Sequence, residues 1–191
     1  MLRLRQETSA DWIHKVFEDF DLFLQDHAAN ERKVAQAALR LCSHHPDKAG
    51  LVDALTDIAA EEMDHFRQVQ EIVITRGQTL GPDRPDPYTG QLHALIRRVD
   101  HNEYLLDRLL LFGLIEARGC ERFQRIAEAL EAGPVKDFYR ELAASESRHY
   151  VTYIRLARKY FGDARTDERL DFFLDKEAEI VRSLPVRAAL H

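Results

Sequence analysis

Glu61-Glu-Met-Asp-His-Phe-Arg-Gln-Val69 and Ser145-Glu-Ser-Arg-His-Tyr150 contain one interval twice, Glu62 to His65 and Glu146 to His149. Residues three apart on a helix project from one face, so each Glu-x-x-His aims a carboxylate and an imidazole the same way. Working outward, each motif is preceded by a single glutamate at nearly the same distance. Glu31 lies 31 residues before Glu62, and Glu116 lies 30 before Glu146. Four helices supplying Glu, Glu-x-x-His, Glu and Glu-x-x-His make the ligand set of a carboxylate-bridged dinuclear metal site inside a four-helix bundle. The offset of 84–85 residues between the two sets predicts two related helical hairpins about a pseudo-twofold axis.

The chemistry of the neighbours supports a metal. Glu116 follows Leu109-Leu-Leu-Phe-Gly-Leu-Ile115, a run that belongs in a core, where an unpaired charge is costly. Glu31 shares its helix face with Ala28, Ala35 and Ala38. Iron accepts carboxylate oxygen and imidazole nitrogen, and carboxylates bridge two ions. The expected assignment makes Glu62 and Glu146 the bridges, Glu31 and Glu116 the terminal carboxylates, with His65 and His149 giving one nitrogen to each metal. Four carboxylates then balance a diferrous pair. Glu61, Glu71 and Glu141 read as solvated, and Asp64 and Arg148 as pointing away from the site.

Composition fits one all-α domain over residues 1–191, and the ligand pattern with the helix connections implies a ferritin-like four-helix bundle with one long crossover and additional short helices. The chain is 45% hydrophobic, and its six prolines and eight glycines cluster between long periodic runs. No run spans a bilayer, so no membrane partner is expected, and the start Met-Leu-Arg-Leu-Arg-Gln-Glu-Thr lacks a secretory signal. Cys42 and Cys120 form no disulfide framework, and a reducing cytoplasm is the expected compartment. There is no Cys-x-x-Cys for a rubredoxin-type iron centre.

Thr8 or Ser9 suits the cap of a first helix that runs to about His44 with a break near Asp19. A second helix starts at Asp47 or Gly50 and ends at Gly77, burying Leu51, Leu55, Ile58, Phe66, Val69 and Ile72. The turn-rich segment 81–90 leads to a short helix over Leu92 to Val99 and a long one over Asn102 to Leu130. Pro134 suits the first position of the fourth long helix, which ends at Gly162. A last helix covers Thr166 to Arg182. The short corners make antiparallel neighbours of helices one and two, and of three and four, while the link over residues 77–101 is long enough for the crossover.

Around the site, Gly113 and Gly119 flank Glu116 and signal either a cavity or a close helix contact. Cys120 either lines the pocket or is a structural thiol, and Tyr150 and Tyr153 either donate hydrogen bonds or pack. Net charge is −6, which announces no global polyanion field. Its distribution is uneven. Residues 1–95 carry 10 Lys+Arg against 16 Asp+Glu, and residues 96–191 carry 17 against 17. Arg97, Arg98, Arg108, Arg118, Arg122, Arg125, Arg140, Arg148, Arg155 and Arg158 form either an ordinary solvated surface or a phosphate-binding patch.

A ligand set does not choose a reaction. Ferroxidase or iron storage, peroxide reduction, dimanganese catalase activity, and oxygenation of a lipid or aldehyde all use such centres. The wording around the ligands is more particular. Asp26-His-Ala-Ala-Asn-Glu-Arg-Lys33, Glu61 to Val69, Leu114-Ile-Glu-Ala-Arg-Gly-Cys-Glu-Arg-Phe123 and Ser145 to Tyr150 together resemble the MiaE family of tRNA hydroxylases, over nearly the whole chain to Lys159-Tyr-Phe-Gly162. The resemblance implies O2-dependent hydroxylation of the isopentenyl group of 2-methylthio-N6-isopentenyladenosine next to the anticodon. It implies two Fe ions on Glu31, Glu62, His65, Glu116, Glu146 and His149, and a reductase or ferredoxin as external electron donor. The partner implied is the tRNA anticodon loop, its modified base splayed out and its phosphates held by arginines such as Arg97 and Arg98. A monomer or small homo-oligomer is expected rather than a cage.

Overall fold

The computed structural model describes residues 4–191, so Met1, Leu2 and Arg3 of the start read for a signal lie outside the described residues. Seven helices and no strands occur among them. Packing divides the chain into two helical units, one of His14–Pro85 with Arg187–Leu190, the other of the N-terminal residues to Ile13 with Asp86–Val186 and His191.

The first hairpin is built from α2 (Phe20–His44) and α3 (Ala49–Thr75), preceded by α1 (Ala10–Glu18). The expected break falls at Asp19, whose carboxylate accepts the Leu22 N–H at 3.0 Å and caps α2. The corner at residues 45–48 is short, and the helices run antiparallel. Cys42 lies by Val52 at one end, and Arg76 pairs with Asp21 at the other. Gly77, at φ +76°, ends the α3 turn in the left-handed region that favours glycine. On α3, Val73 rather than Ile72 completes the buried stripe with Leu51, Leu55, Ile58 and Val69.

The second unit holds α4 (Pro87–Ala94), α5 (His101–Ala129), α6 (Pro134–Phe161) and α7 (Asp163–Ser183). The short helix expected at Leu92 to Val99 sits five residues earlier at its start. Asp86 accepts the Thr89 N–H at 3.0 Å and Pro87 fills the first turn, so this Asp-Pro pair, not the later apolar residues, sets the start. Asp100 caps α5 through the N–H groups of Asn102 and Glu103. α5 is buried nearly all round, from Leu105 through Ile115 to Ile126. Each large side chain there contributes about 1.5–3 kcal/mol by leaving water. α6 packs antiparallel to it, and α7 closes over α4, α5 and α6. Gly162, at φ +80°, joins α6 to α7 without a loop, so the last helix begins at Asp163 rather than Thr166.

A buried polar hub ties this unit together. Arg118, fully buried, donates to Glu177 at 2.7 and 2.8 Å, to Glu121 at 2.6 Å, to Thr8 Oγ1 at 3.1 Å and to the Gln6 carbonyl at 2.7 Å. Tyr88 of α4 donates its hydroxyl to the same Glu177 at 3.1 Å. Thr8 therefore does not cap α1. Its hydroxyl is spent on Glu121 at 2.6 Å, and it is the Ser9 carbonyl that accepts the first helical N–H, from Trp12. Among the described residues no helix is long and apolar enough to cross a membrane.

Candidate metal centre

Helical spacing puts ligand-type atoms together within each hairpin. Glu31 on α2 and Glu62 and His65 on α3 offer one atom each, all within 4.8 Å of one another. His65 Nδ1 lies 3.5 Å from Glu62 Oε2 and 3.7 Å from Glu31 Oε2. In the second hairpin, Glu116 on α5 and Glu146 and His149 on α6 form the matching trio, again within 4.8 Å. His149 Nδ1 lies 3.7 Å from Glu146 Oε2. Both motifs thus turn the same ring nitrogen toward their own carboxylate. All six residues are at most 8% exposed. Glu61, Glu71 and Glu141 are exposed, as expected of solvated positions. Asp64 turns outward to Arg67 and Gln68, and the exposed Arg148 donates to Ser145.

The electrostatics state what the trio on the first hairpin needs. Burial raises the Glu31 carboxyl, but hydrogen bonds with Glu62, His27 and His65 outweigh it and hold the group down at about 2. Burial lowers the His65 imidazolium, and Glu31 and Glu62 together push it up to about 11. Buried carboxylate charge therefore demands positive charge or shared protons, and His65 is one group that supplies a proton. A metal ion satisfies the same demand with more charge, and oxygen plus imidazole donors suit iron, manganese or zinc. The donor set fits a metal.

One residue beside the trio carries no mark in the spacing argument. His27, fully buried one turn before Glu31, donates Nε2–H to Glu31 Oε1 at 2.6 Å. Such a bond fixes which way a ligand carboxylate faces. The only sequence signal is the i−4 interval on a face otherwise lined by alanine. The position equivalent to His27 in the second hairpin, 85 residues on, is Phe112, which packs against Tyr153 with ring centroids 5.5 Å apart. The half-sites share ligands and differ in what stands behind them.

The two glycines resolve differently. A Cβ on Gly113 would lie 3.3 Å from both Ile154 and Tyr153, so this glycine serves close contact between α5 and α6. At Gly119 a Cβ would meet Phe123 at 3.7 Å and Glu146 Cγ at 3.9 Å, ordinary contacts that leave room. Cys120 is buried, and burial with Glu146 and Glu121 nearby pushes its thiol up to about 11, which keeps it protonated. Tyr153 is buried, and Tyr150 is half-buried.

Several arginines of the second half are committed to partners within the chain, although only Arg118 and Arg122 are buried. Arg118 belongs to the buried hub, and Arg122 is buried over the Trp12 ring at 5.0 Å, where burial and Arg118 lower its guanidinium to about 10. Arg97 donates to Asp107 at 2.7 Å and to Glu103 at 2.8 Å, and Arg169 joins it on Asp107 at 2.8 Å. Arg140 and Arg158 pair with Asp137 and Asp167. The expectation that Arg97 holds RNA phosphate does not fit this commitment. Arg98 is exposed and has no ion pair among the described residues.

An all-α fold with doubled, buried Glu-x-x-His trios defines the ferritin-like class of metal proteins. A solved structure, Protein 43 with aldehyde deformylating oxygenase activity from Synechococcus, is 31% identical with a TM-score of 0.93, covering 100% of this chain and 96% of that one. The family model for tRNA-(MS[2]IO[6]A)-hydroxylase (MiaE) matches residues 2–191, and this chain belongs to that family. The tRNA 2-(methylsulfanyl)-N(6)-isopentenyladenosine(37) hydroxylase of Pseudomonas putida is 32% identical over 172 residues, which are 90% of this chain and 83% of that protein. The Salmonella typhimurium protein of the same name is 30% identical over 159 residues, 83% of this chain and 57% of its own length.

Proposed function

We propose that this chain is a non-haem di-iron monooxygenase that hydroxylates the isopentenyl group of 2-methylthio-N6-isopentenyladenosine next to the anticodon of tRNA. The observation that carries the reading is the pair of buried Glu, Glu, His trios in a member of a family whose relatives are named for that reaction. In this reading residues 1–191 act as one domain. Glu31, Glu62, His65, Glu116, Glu146 and His149 would hold two iron ions.

When bound, the iron pair supplies activation of O2 for attack on an unactivated C–H bond, with electrons from an external reductase or ferredoxin. The residues of the chain do the rest. His27 holds Glu31 in a fixed orientation, and the low value of the Glu31 carboxyl keeps it anionic for a metal at every physiological pH. Each imidazole presents Nδ1 beside its own carboxylate. One turn from Glu116, Phe112 and Tyr153 form a dry wall that suits a prenyl chain and excludes water.

The test is nucleoside mass spectrometry of tRNA incubated with the iron-loaded protein, a reductant and O2. The hydroxylated prenyl-adenosine is the expected product, and its absence with substrate tRNA and full iron occupancy rejects the reading. The Synechococcus likeness favours one specific rival, oxygenation of an aldehyde, so a long-chain aldehyde belongs in the same assay. Turnover of the aldehyde in place of the nucleoside would establish that rival.

A further inference from the structure

The corner where α4 meets α5 gathers cations and rings of a kind that the metal chemistry does not use. Arg108 on α5 has its guanidinium carbon 4.4 Å from the Phe112 ring centroid and 6.0 Å from the Tyr104 centroid, with its Nη1 3.5 Å from His93 Nδ1 on α4. Arg98 stands in the short link between α4 and α5, and burial, then Arg108 and Arg98, lower the His93 imidazole. Arg98 itself is exposed, beside a fully exposed Val99. It differs from its neighbour Arg97, which Asp107 and Glu103 hold. Tyr104 and Arg108 are half-buried.

The register along α5 gives this cluster a direction. Arg108, Phe112 and Glu116 follow one another at i, i+4 and i+8 on one stripe. The backbone positions of Arg108 and the candidate ligand Glu116 are thus about 12 Å apart along the helix, by a rise of ~1.5 Å per residue. A planar group resting on Arg108 and Tyr104 would have the Phe112 wall, then Glu116, ahead of any tail it carries. Guanidinium planes and tyrosine rings stack on unpaired bases, and an exposed arginine takes a backbone phosphate.

Resting on the hydroxylase reading, we propose that His93, Arg98, Tyr104 and Arg108 form the seat for single-stranded anticodon-loop RNA. Arg98 holds a phosphate, and Arg108 with Tyr104 stacks the splayed base so that its N6 tail runs along α5 toward Glu116. The alternation of rings with cations favours RNA over an acidic electron-transfer protein, which would need charge alone.

The experiment measures binding of an anticodon stem-loop RNA carrying 2-methylthio-N6-isopentenyladenosine to the iron-loaded protein across a salt series. The variants are Arg98→Glu, Tyr104→Ala and, as a charge-matched control on the other hairpin, the exposed Arg40→Glu. Circular dichroism and iron content check each variant. Arg98→Glu is expected to weaken binding about tenfold or more and to reduce the slope of log K against log salt by about 0.7 to 1, the loss of one phosphate contact. Tyr104→Ala is expected to lose the preference for the modified over the unmodified stem-loop while keeping the slope. Unchanged affinity and slope in Arg98→Glu, or an equal loss in Arg40→Glu, overturns the seat. So does slower reduction by an acidic ferredoxin with RNA binding intact. Nucleoside analysis of the same samples separates the two readings. Hydroxylated product with RNA binding indifferent to Arg98 removes only the seat. Binding that depends on Arg98 and Tyr104 without any product removes the hydroxylase reading and leaves the seat.

Discussion

His27 shows how much a ligand owes to the residue behind it. Its 2.6 Å bond to Glu31 is made inside the protein, where no water competes and a charge-assisted hydrogen bond is strong. Removing the ring leaves Glu31 without that restraint and opens space beside it. His27→Ala is expected to keep the helical content and to bind Fe(II) about 10–100-fold more weakly, the usual cost of losing a partner behind a metal ligand. His27→Gln, which retains a donor, should recover part of the loss. A competitive Fe(II) titration measures both, and equal affinity for all three proteins would show that the bond positions nothing. The sequence made the six Glu and His ligand candidates legible because ligand spacing on helices is a hard geometric requirement. His27 was not legible, because an i−4 histidine on an alanine-lined face is commonplace and only its distance to Glu31 gives it a role.

At the scale of elements, glycine carried an ambiguity that spacing alone leaves open. Gly113 and Gly119 both interrupt α5, and each costs the helix about 1 kcal/mol relative to alanine. Their surroundings separate them. Gly119→Ala adds a methyl at ordinary contact distances, so its helix propensity gain survives and a stabilisation of about 0.5–1 kcal/mol is expected. Gly113→Val instead forces two methyls against Tyr153 and Ile154, where even a Cβ sits at 3.3 Å, and should cost about 2 kcal/mol from overpacking. Urea unfolding of the two variants beside the parent should move in opposite directions. Movement of both the same way would mean that the α5–α6 contact yields more than its geometry implies. Helix ends followed the strength of local signals. Asp19, Gly77, Pro134 and Gly162 are legible punctuation, whereas α4 starts at the Asp86-Pro87 signal and not at the apolar residues from Leu92 onward.

For the molecule as a whole, the arginine-rich second half was the least legible feature, since sequence does not tell an internal guanidinium from a surface one. Arg118, Arg97 and Arg169 resemble a polyanion-binding set by composition, yet each is committed to a carboxylate within the fold. Asp107 is the clearest case. It is fully buried, and Arg97 and Arg169 of α7 donate to it from both sides. Burial pushes its carboxyl up, but the hydrogen bonds from Arg169 and Arg97 prevail and hold it below the ordinary carboxylate value. A carboxyl whose folded-state value is depressed stabilises the fold above its unfolded value of ~3.9, and that stabilisation disappears as pH falls through the folded-state value. Asp107→Asn should therefore cost about 2 kcal/mol at pH 7. This is less than the ~3–5 kcal/mol of a wholly buried pair, because the Arg97 side chain is 34% exposed and water screens it. Lowering the pH through that depressed folded-state value converts the parent's Asp107 to a neutral acid that resembles the asparagine. The parent and variant unfolding curves should then converge at acid pH, with the parent moving toward the variant. A gap that persists undiminished once the carboxyl is protonated would assign the stabilisation to shape rather than charge.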